Sequence, residues 1–198
     1  MEENKNESEN KNENIVETIR AFVESECQKP TSHYGSEVYI CHFVPMHHYA
    51  KTLGEKMNAD VEIVELAAWL HDIGSIIKGR KDHHITGAEI AEQKLRELNY
   101  PEDKILKVKK CIFSHRGSQS ISRTCVEEQI IADADALSAF DNISGLFKAA
   151  IFHEGLDQVQ ARKDVRRKLV NSWQKLSPEA KRLIEHKYLA AMILLEDR

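Results

Sequence analysis

The segment Trp69-Leu70-His71-Asp72-Ile73-Gly74 closes an apolar run, Leu66-Ala67-Ala68-Trp69-Leu70, with two side chains able to bind a cation. An imidazole and a carboxylate buried without partners cost about 1–3 kcal/mol each, and a divalent cation would supply the partner. Adjacent residues of a helix diverge by about 100°. One ion therefore holds both only near a helix end, where Gly74 offers a positive-φ stop. Taken alone, His71-Asp72 reads more readily as a solvent-facing pair at a helix C-terminus. It does not stand alone. His42 lies upstream, and His83, His84, His115, Asp133 and Asp135 lie downstream, each beside or within an apolar, helix-like segment. Mixed imidazole and carboxylate donors suit Mn, Fe, Ni, Co or Zn and do not choose among them.

Helices must carry these residues, because apolar positions recur at helical spacing and no segment shows sustained period-two alternation. Ile15, Ile19, Phe22 and Val23 mark a first helix from about 14 to 28. A second, about 36–56, holds His42, His47 and His48. It should bend at Pro45, which cannot donate to the carbonyl of Cys41. Asp60 is placed to cap a third helix, 61–72. Residues 73–83 read as a loop with three cations, Lys78, Arg80 and Lys81, next to the presumed ligands. Further helices follow at about 84–99, 101–115 (with Pro101 at its first position), 125–141, 142–153, from beyond Gly155 to about 176, and from Pro178 to about 196, the last capped by Ser177. Within the helix 125–141, Asp133 and Asp135 project about 200° apart, so the two are not expected on one ion. The result is an all-α bundle of about eight or nine helices, with the metal site in the central ones.

The order His…His-Asp…His…His…Asp resembles the HD superfamily of metal-dependent phosphohydrolases. The matching stretches are Cys41-His42-Phe43, Leu70-His71-Asp72-Ile73-Gly74, His83-His84-Ile85-Thr86-Gly87-Ala88, Ile112-Phe113-Ser114-His115 and Ile131-Ala132-Asp133-Ala134-Asp135-Ala136-Leu137, spread over roughly residues 35–155. The resemblance implies that His42, His71, Asp72 and Asp135 bind one divalent cation, Asp135 because the family's ligand precedes a residue-Leu pair. It implies a second half-site of His83 and His115 bridged by Asp72, so that one or two ions bind. With a single ion, His83 and His115 would instead act as phosphate donors or acid–base groups. His83, four residues before Gly87, fits the family spacing better than His84. Asp133 is a candidate base, or a partner for a ligand histidine. Arg80, Lys81 and Arg116 are candidates for holding substrate phosphate. One departure stands out. Many relatives carry an arginine or another polar residue three positions after the first histidine, where this chain has Pro45; the ligands remain, and the change bears on the substrate pocket.

The chain has 198 residues, 41% of them hydrophobic, and a net charge of −4. That length supports one domain, 15–198, behind a polar leader, 1–14, with no apolar residue after Met1 and an expectation of disorder. The charge argues against nucleic acid as a partner. Arg162, Lys163, Arg166, Arg167 and Lys168 form the only strong basic run, read as a solvated face. No apolar run approaches the roughly 18 residues that cross a bilayer. There is no signal-peptide pattern, and Cys27, Cys41, Cys111 and Cys125 have no zinc spacing, which together suggest reduced thiols and a cytoplasmic location. The leading functional expectation is hydrolysis of a small phosphate ester, nucleotides included. An HD-type di-iron oxygenase and a metal-bound sensor or binding module are the alternatives, and a homodimer stays open.

Overall fold

The structure is a computed structural model describing residues 2–116 and 122–196, with side chains from residue 15 onward. The described residues form ten α-helices and two π-helical turns, with no strand. The centre is α3 (Val61–Leu70), seven of whose ten residues are buried. It starts where expected, with the Asp60 carboxylate accepting from the Ile63 N–H. Around it pack α1 (Glu2–Gln28), α2 (Val44–Lys56), α5 (His83–Glu97), α6 (Glu102–Ser114) and α7 (Val126–Ser138). α9 (Gln158–Lys175) and α10 (Pro178–Leu194) lie against α7. As the sequence suggests, Ser177 caps α10 through the Ala180 N–H.

Several boundaries differ from the expectations. The backbone of α1 continues through the polar tract to Glu2; its described packing face begins at Ile15 and buries Ile19, Val23 and Cys27. Before α2 the helix does not simply bend. Residues Tyr39–Phe43 form the first π turn, and the Val44 N–H reaches back five residues to the Tyr39 carbonyl. The widened turn carries the chain past Pro45, which has no N–H, at the start of α2. His42 sits in this turn. A second π turn, Ala149–His153, continues α8 (Ile143–Lys148). The expected loop 73–83 is mostly a short helix, α4 (Ile73–Lys78), which stops at Gly79 with φ +87°. The connection to α5 is thereby reduced to residues 79–82. Pro101 precedes α6 as its cap residue rather than opening it.

Gly74 does not end a helix with a positive φ. It lies inside α4 and permits a close crossing of α5: a Cβ there would stand 2.4 Å from the His83 carbonyl oxygen and 2.6 Å from the Gly87 nitrogen. The expectation failed because a glycine after a helical run serves backbone contact as well as helix termination. Here the crossing brings His83 beside Asp72.

Candidate metal centre

Six ligand-type side chains from five elements meet at one point. His42 comes from the first π turn, His71 and Asp72 from the break between α3 and α4, His83 from the first residue of α5, His115 from just after α6, and Asp135 from α7. Asp72 is the hinge. Its Oδ2 lies 3.7 Å from His42 Nε2 and 3.9 Å from His71 Nε2. Its Oδ1 lies 3.4 Å from His83 Nε2 and 3.8 Å from His115 Nε2. Asp135 Oδ1 completes the first group, 3.7 Å from His42 and 3.8 Å from His71. The two carboxylate oxygens of Asp72 thus face two half-sites.

The histidines are oriented by their other ring nitrogen. His71 Nδ1 donates to the Ala68 carbonyl at 2.8 Å and His83 Nδ1 to the Arg80 carbonyl at 2.9 Å. His115 Nδ1 donates to the Ile112 carbonyl. Ser138 donates to the Asp135 carbonyl at 2.8 Å, and its oxygen accepts from His42 Nδ1 at 3.0 Å. With every Nδ1 proton engaged, all four Nε2 lone pairs point inward. His42 Nε2 and His71 Nε2 are 3.0 Å apart, so two lone pairs face each other without a proton between them. A cation resolves that conflict. Two donors each about 2.1 Å from one ion can be no more than about 4.2 Å apart, and every separation above is below that. Two groups that share Asp72, one of His42, His71 and Asp72 and one of Asp72, His83 and His115, each bring three donor atoms within 4.8 Å of one another and could each hold a divalent ion.

Electrostatics agree. Full burial pushes His71 down to about 4, against the pull of Asp72, and keeps it neutral. Burial alone would raise Asp72, but the positive charge that His71, His115, His42 and His83 carry once protonated outweighs it and holds the carboxyl well below its usual range. Ser75 also donates to Asp72 Oδ1 at 3.0 Å. Ser75 and Ser138 are supporting residues that the pattern of histidines and aspartates did not reveal; their only sequence signal is position, one helical turn beyond Asp72 and Asp135.

Asp133 is not brought to the centre. Once Asp135 faces inward, helical geometry turns Asp133 to the opposite side. There it is 1% exposed and accepts from the Ser177 N–H at 3.0 Å and Gln129 Nε2 at 3.1 Å. It fastens α7 to the junction of α9 and α10 and is in no position to act as a base. Burial raises its carboxyl above the usual range, against the hydrogen bonds from Ser177 and Gln129. His84 is buried beside the cluster, with Arg116 3.4 Å from its Nδ1 and Phe113 packed on its ring. His47 is not solvent-facing: it bonds Glu65 at 2.9 Å and stacks on Trp69 at 4.5 Å. His48 is exposed.

The ligands open onto a cleft of about 780 Å³. Arg80 and Arg116 line it, as the sequence suggested. Lys81 does not: it is exposed on the short turn between Gly79 and Asp82, where Arg80 takes the cleft side. Four further cations on the wall were either not singled out in the sequence or misjudged. Arg167 and Lys168, read as part of a solvated face, line the cleft together with Arg123 and Lys175. Only the packing of α9 over α7 shows which face of the basic run turns inward.

Comparison with known proteins agrees with this geometry. Residues 39–139, about half of the chain, match the HD domain family. Ribonuclease Y from Finegoldia magna is 30% identical over 108 residues, covering 54% of this chain and 19% of that protein. Ribonuclease Y from Rubrobacter xylanophilus is 28% identical over 156 residues, 70% of this chain and 28% of its own length. The chain thus spans less than a third of these relatives. Among solved structures, an HD-superfamily hydrolase from Bacillus thuringiensis superposes with a TM-score of 0.72 at 19% identity, covering 93% of this chain and 95% of that one. Bacillus subtilis YpgQ in complex with ADP gives 0.72 at 22% identity, with the same coverage. With its ligand types in the family's order and its helices in the family's arrangement, the chain belongs to the HD domain family.

Proposed function

We propose that this chain is a divalent-metal-dependent phosphohydrolase acting on a small phosphate ester, nucleotides included. The observation that carries the reading is the division of Asp72: one oxygen faces His42 and His71, the other His83 and His115. Bound divalent cations supply Lewis acidity and lower the pKa of water. The chain's own residues do the rest. Backbone carbonyls and Ser138 hold the Nδ1 protons, which fixes the tautomer that leaves each Nε2 free to donate its lone pair to a metal. Arg116, one residue after His115 and beside His84, offers a planar fork to phosphate oxygens and balances the negative charge added during attack. The ADP bound to YpgQ and the RNA-directed name of the Ribonuclease Y relatives both accord with phosphate chemistry.

The same two half-sites would also serve two irons in an oxygenase. The cationic cleft wall favours an anionic substrate and hence hydrolysis. The test is metal analysis of protein purified without a histidine tag, followed by a panel of phosphate esters with Mn²⁺, Co²⁺, Ni²⁺ and Mg²⁺. Phosphate release that depends on added metal supports the proposal. Stoichiometric iron with substrate-dependent oxygen uptake, and no phosphate release, overturns it.

A further inference from the structure

Six cations line the cleft, and three of them are already committed. Arg116 lies against His84. Arg167 and Lys168 both pair with Asp164, and Lys168 also with Glu154 at 2.8 Å. The other three, Arg80, Arg123 and Lys175, have no ion-pair partner within 4.0 Å among the described residues. They come from three places: the turn before α5, the segment before α7, and the last residue of α9. Arg123 carries a further sign of a missing ligand, for its Nε is buried and has no hydrogen-bond partner among the described residues. A buried donor left unpaired is unfavourable unless something enters to accept from it.

All three are tied to fixed parts of the fold. Lys175 is two residues before Ser177, whose N–H is bonded to the buried Asp133, so the end of α9 cannot drift from α7. Arg123 lies near that same carboxylate and acts on it electrostatically. Arg80 is anchored by its own carbonyl, which accepts from His83 Nδ1. The phosphate at the ligand cluster would be met by metal, and these cations are surplus to it.

We infer that Arg80, Arg123 and Lys175 form a second anion-binding subsite in the cleft, so that the substrate carries another anionic group besides the phosphate placed at the ligand cluster. The inference rests on the phosphohydrolase reading for what occupies the cluster, but its test is one of binding. The probes are AMP, with one phosphate, and the α,β-methylene analogue of ADP, which has two and cannot be cleaved between them. Calorimetric titration of the full-length, metal-loaded protein should show the diphosphate binding about tenfold or more tighter than AMP, the scale of one charge-assisted hydrogen bond. Lys175→Ala and Arg123→Gln should each remove most of that preference while leaving AMP affinity and metal per chain unchanged. Arg80→Gln provides a third variant should either fail to fold. Equal binding of the two probes by the wild type overturns the subsite, as does a preference that survives in the Lys175→Ala/Arg123→Gln double variant. A retained preference without any turnover would overturn the hydrolase reading and leave the subsite standing; turnover without a preference would do the reverse.

Discussion

Asp72 is the residue on which both half-sites depend, because each takes one of its oxygens. Asp72→Ala should therefore abolish bound metal and hydrolysis together, read as metal per chain and phosphate release. His115→Ala removes a donor only from the half-site shared with His83. It should lower metal per chain while the set of His42, His71 and Asp135 keeps its ion. Full occupancy in Asp72→Ala would sink the whole assignment. Gly74 acts at the same scale by space alone. A methyl group there meets backbone atoms of His83 and Gly87, which cannot swing aside as the end of a flexible side chain would. Gly74→Ala should destabilise the fold by about 1–3 kcal/mol and loosen the half-site of His83, detectable by denaturant titration and by metal content.

Between elements, polar contacts fix how helices lie against one another. His47 and Lys51 on α2 meet Glu65 on α3 at 2.9 and 3.1 Å, beside the stacking of His47 on Trp69. Burial would raise the Glu65 carboxyl, but the bonds from His47 and Lys51 outweigh it and lower it below the usual range. A depressed carboxyl contributes stability above its unfolded value and loses that contribution as pH falls through the folded value. Glu65→Gln should thus cost roughly 1 kcal/mol near neutrality, and the gap to wild type should close below about pH 4.3. Urea unfolding at neutral and acid pH measures this, and subtracting the variant cancels acid effects at the metal ligands. On the opposite side of α2, two residues on from His47, Tyr49 donates to Asp141 at 2.6 Å while Lys187 of α10 reaches both. This contact joins the C-terminal helices to the ligand-bearing core.

Over the whole molecule, the C-terminal pair braces α7 and contributes no ligand, although α9 supplies part of the cleft wall. Its packing is looser than its apolar content suggests. Leu169 and Ile184 are buried, whereas Ile193 and Leu194 are about three-quarters exposed. Trp173 is half-buried and stacks on Tyr188 with centroids 4.2 Å apart. Full burial would make Trp173→Ala cost about 3–5 kcal/mol; with part of the side chain still exposed, a loss of about 2–3 kcal/mol is expected, measured by thermal or urea unfolding. The polar tract 1–14 has no apolar residue after Met1 to bury, so its deletion should leave melting temperature and metal per chain unchanged. A drop in either would show that the tract docks on the domain.

Residue types and order were enough for an all-α chain and for α3 with its Asp60 cap, because helical periodicity and capping are local properties written directly in the sequence; the choice of six ligand candidates among the histidines and aspartates came from family resemblance. Their division into two half-sites around Asp72 was implied by family resemblance alone until the distances placed it on the carboxylate's two oxygens. What lay beyond local reading depended on neighbours distant in the chain. Gly74 looked like a helix stop until α5 was seen to cross it, and Asp133 looked like a base until α7 was seen to turn it toward Ser177. The basic run of α9 looked uniformly solvated until its packing turned Arg167 and Lys168 to the cleft. A side chain's partners follow from which helix lies across from it, and that is settled by long-range packing rather than by the spacing of residues along one helix.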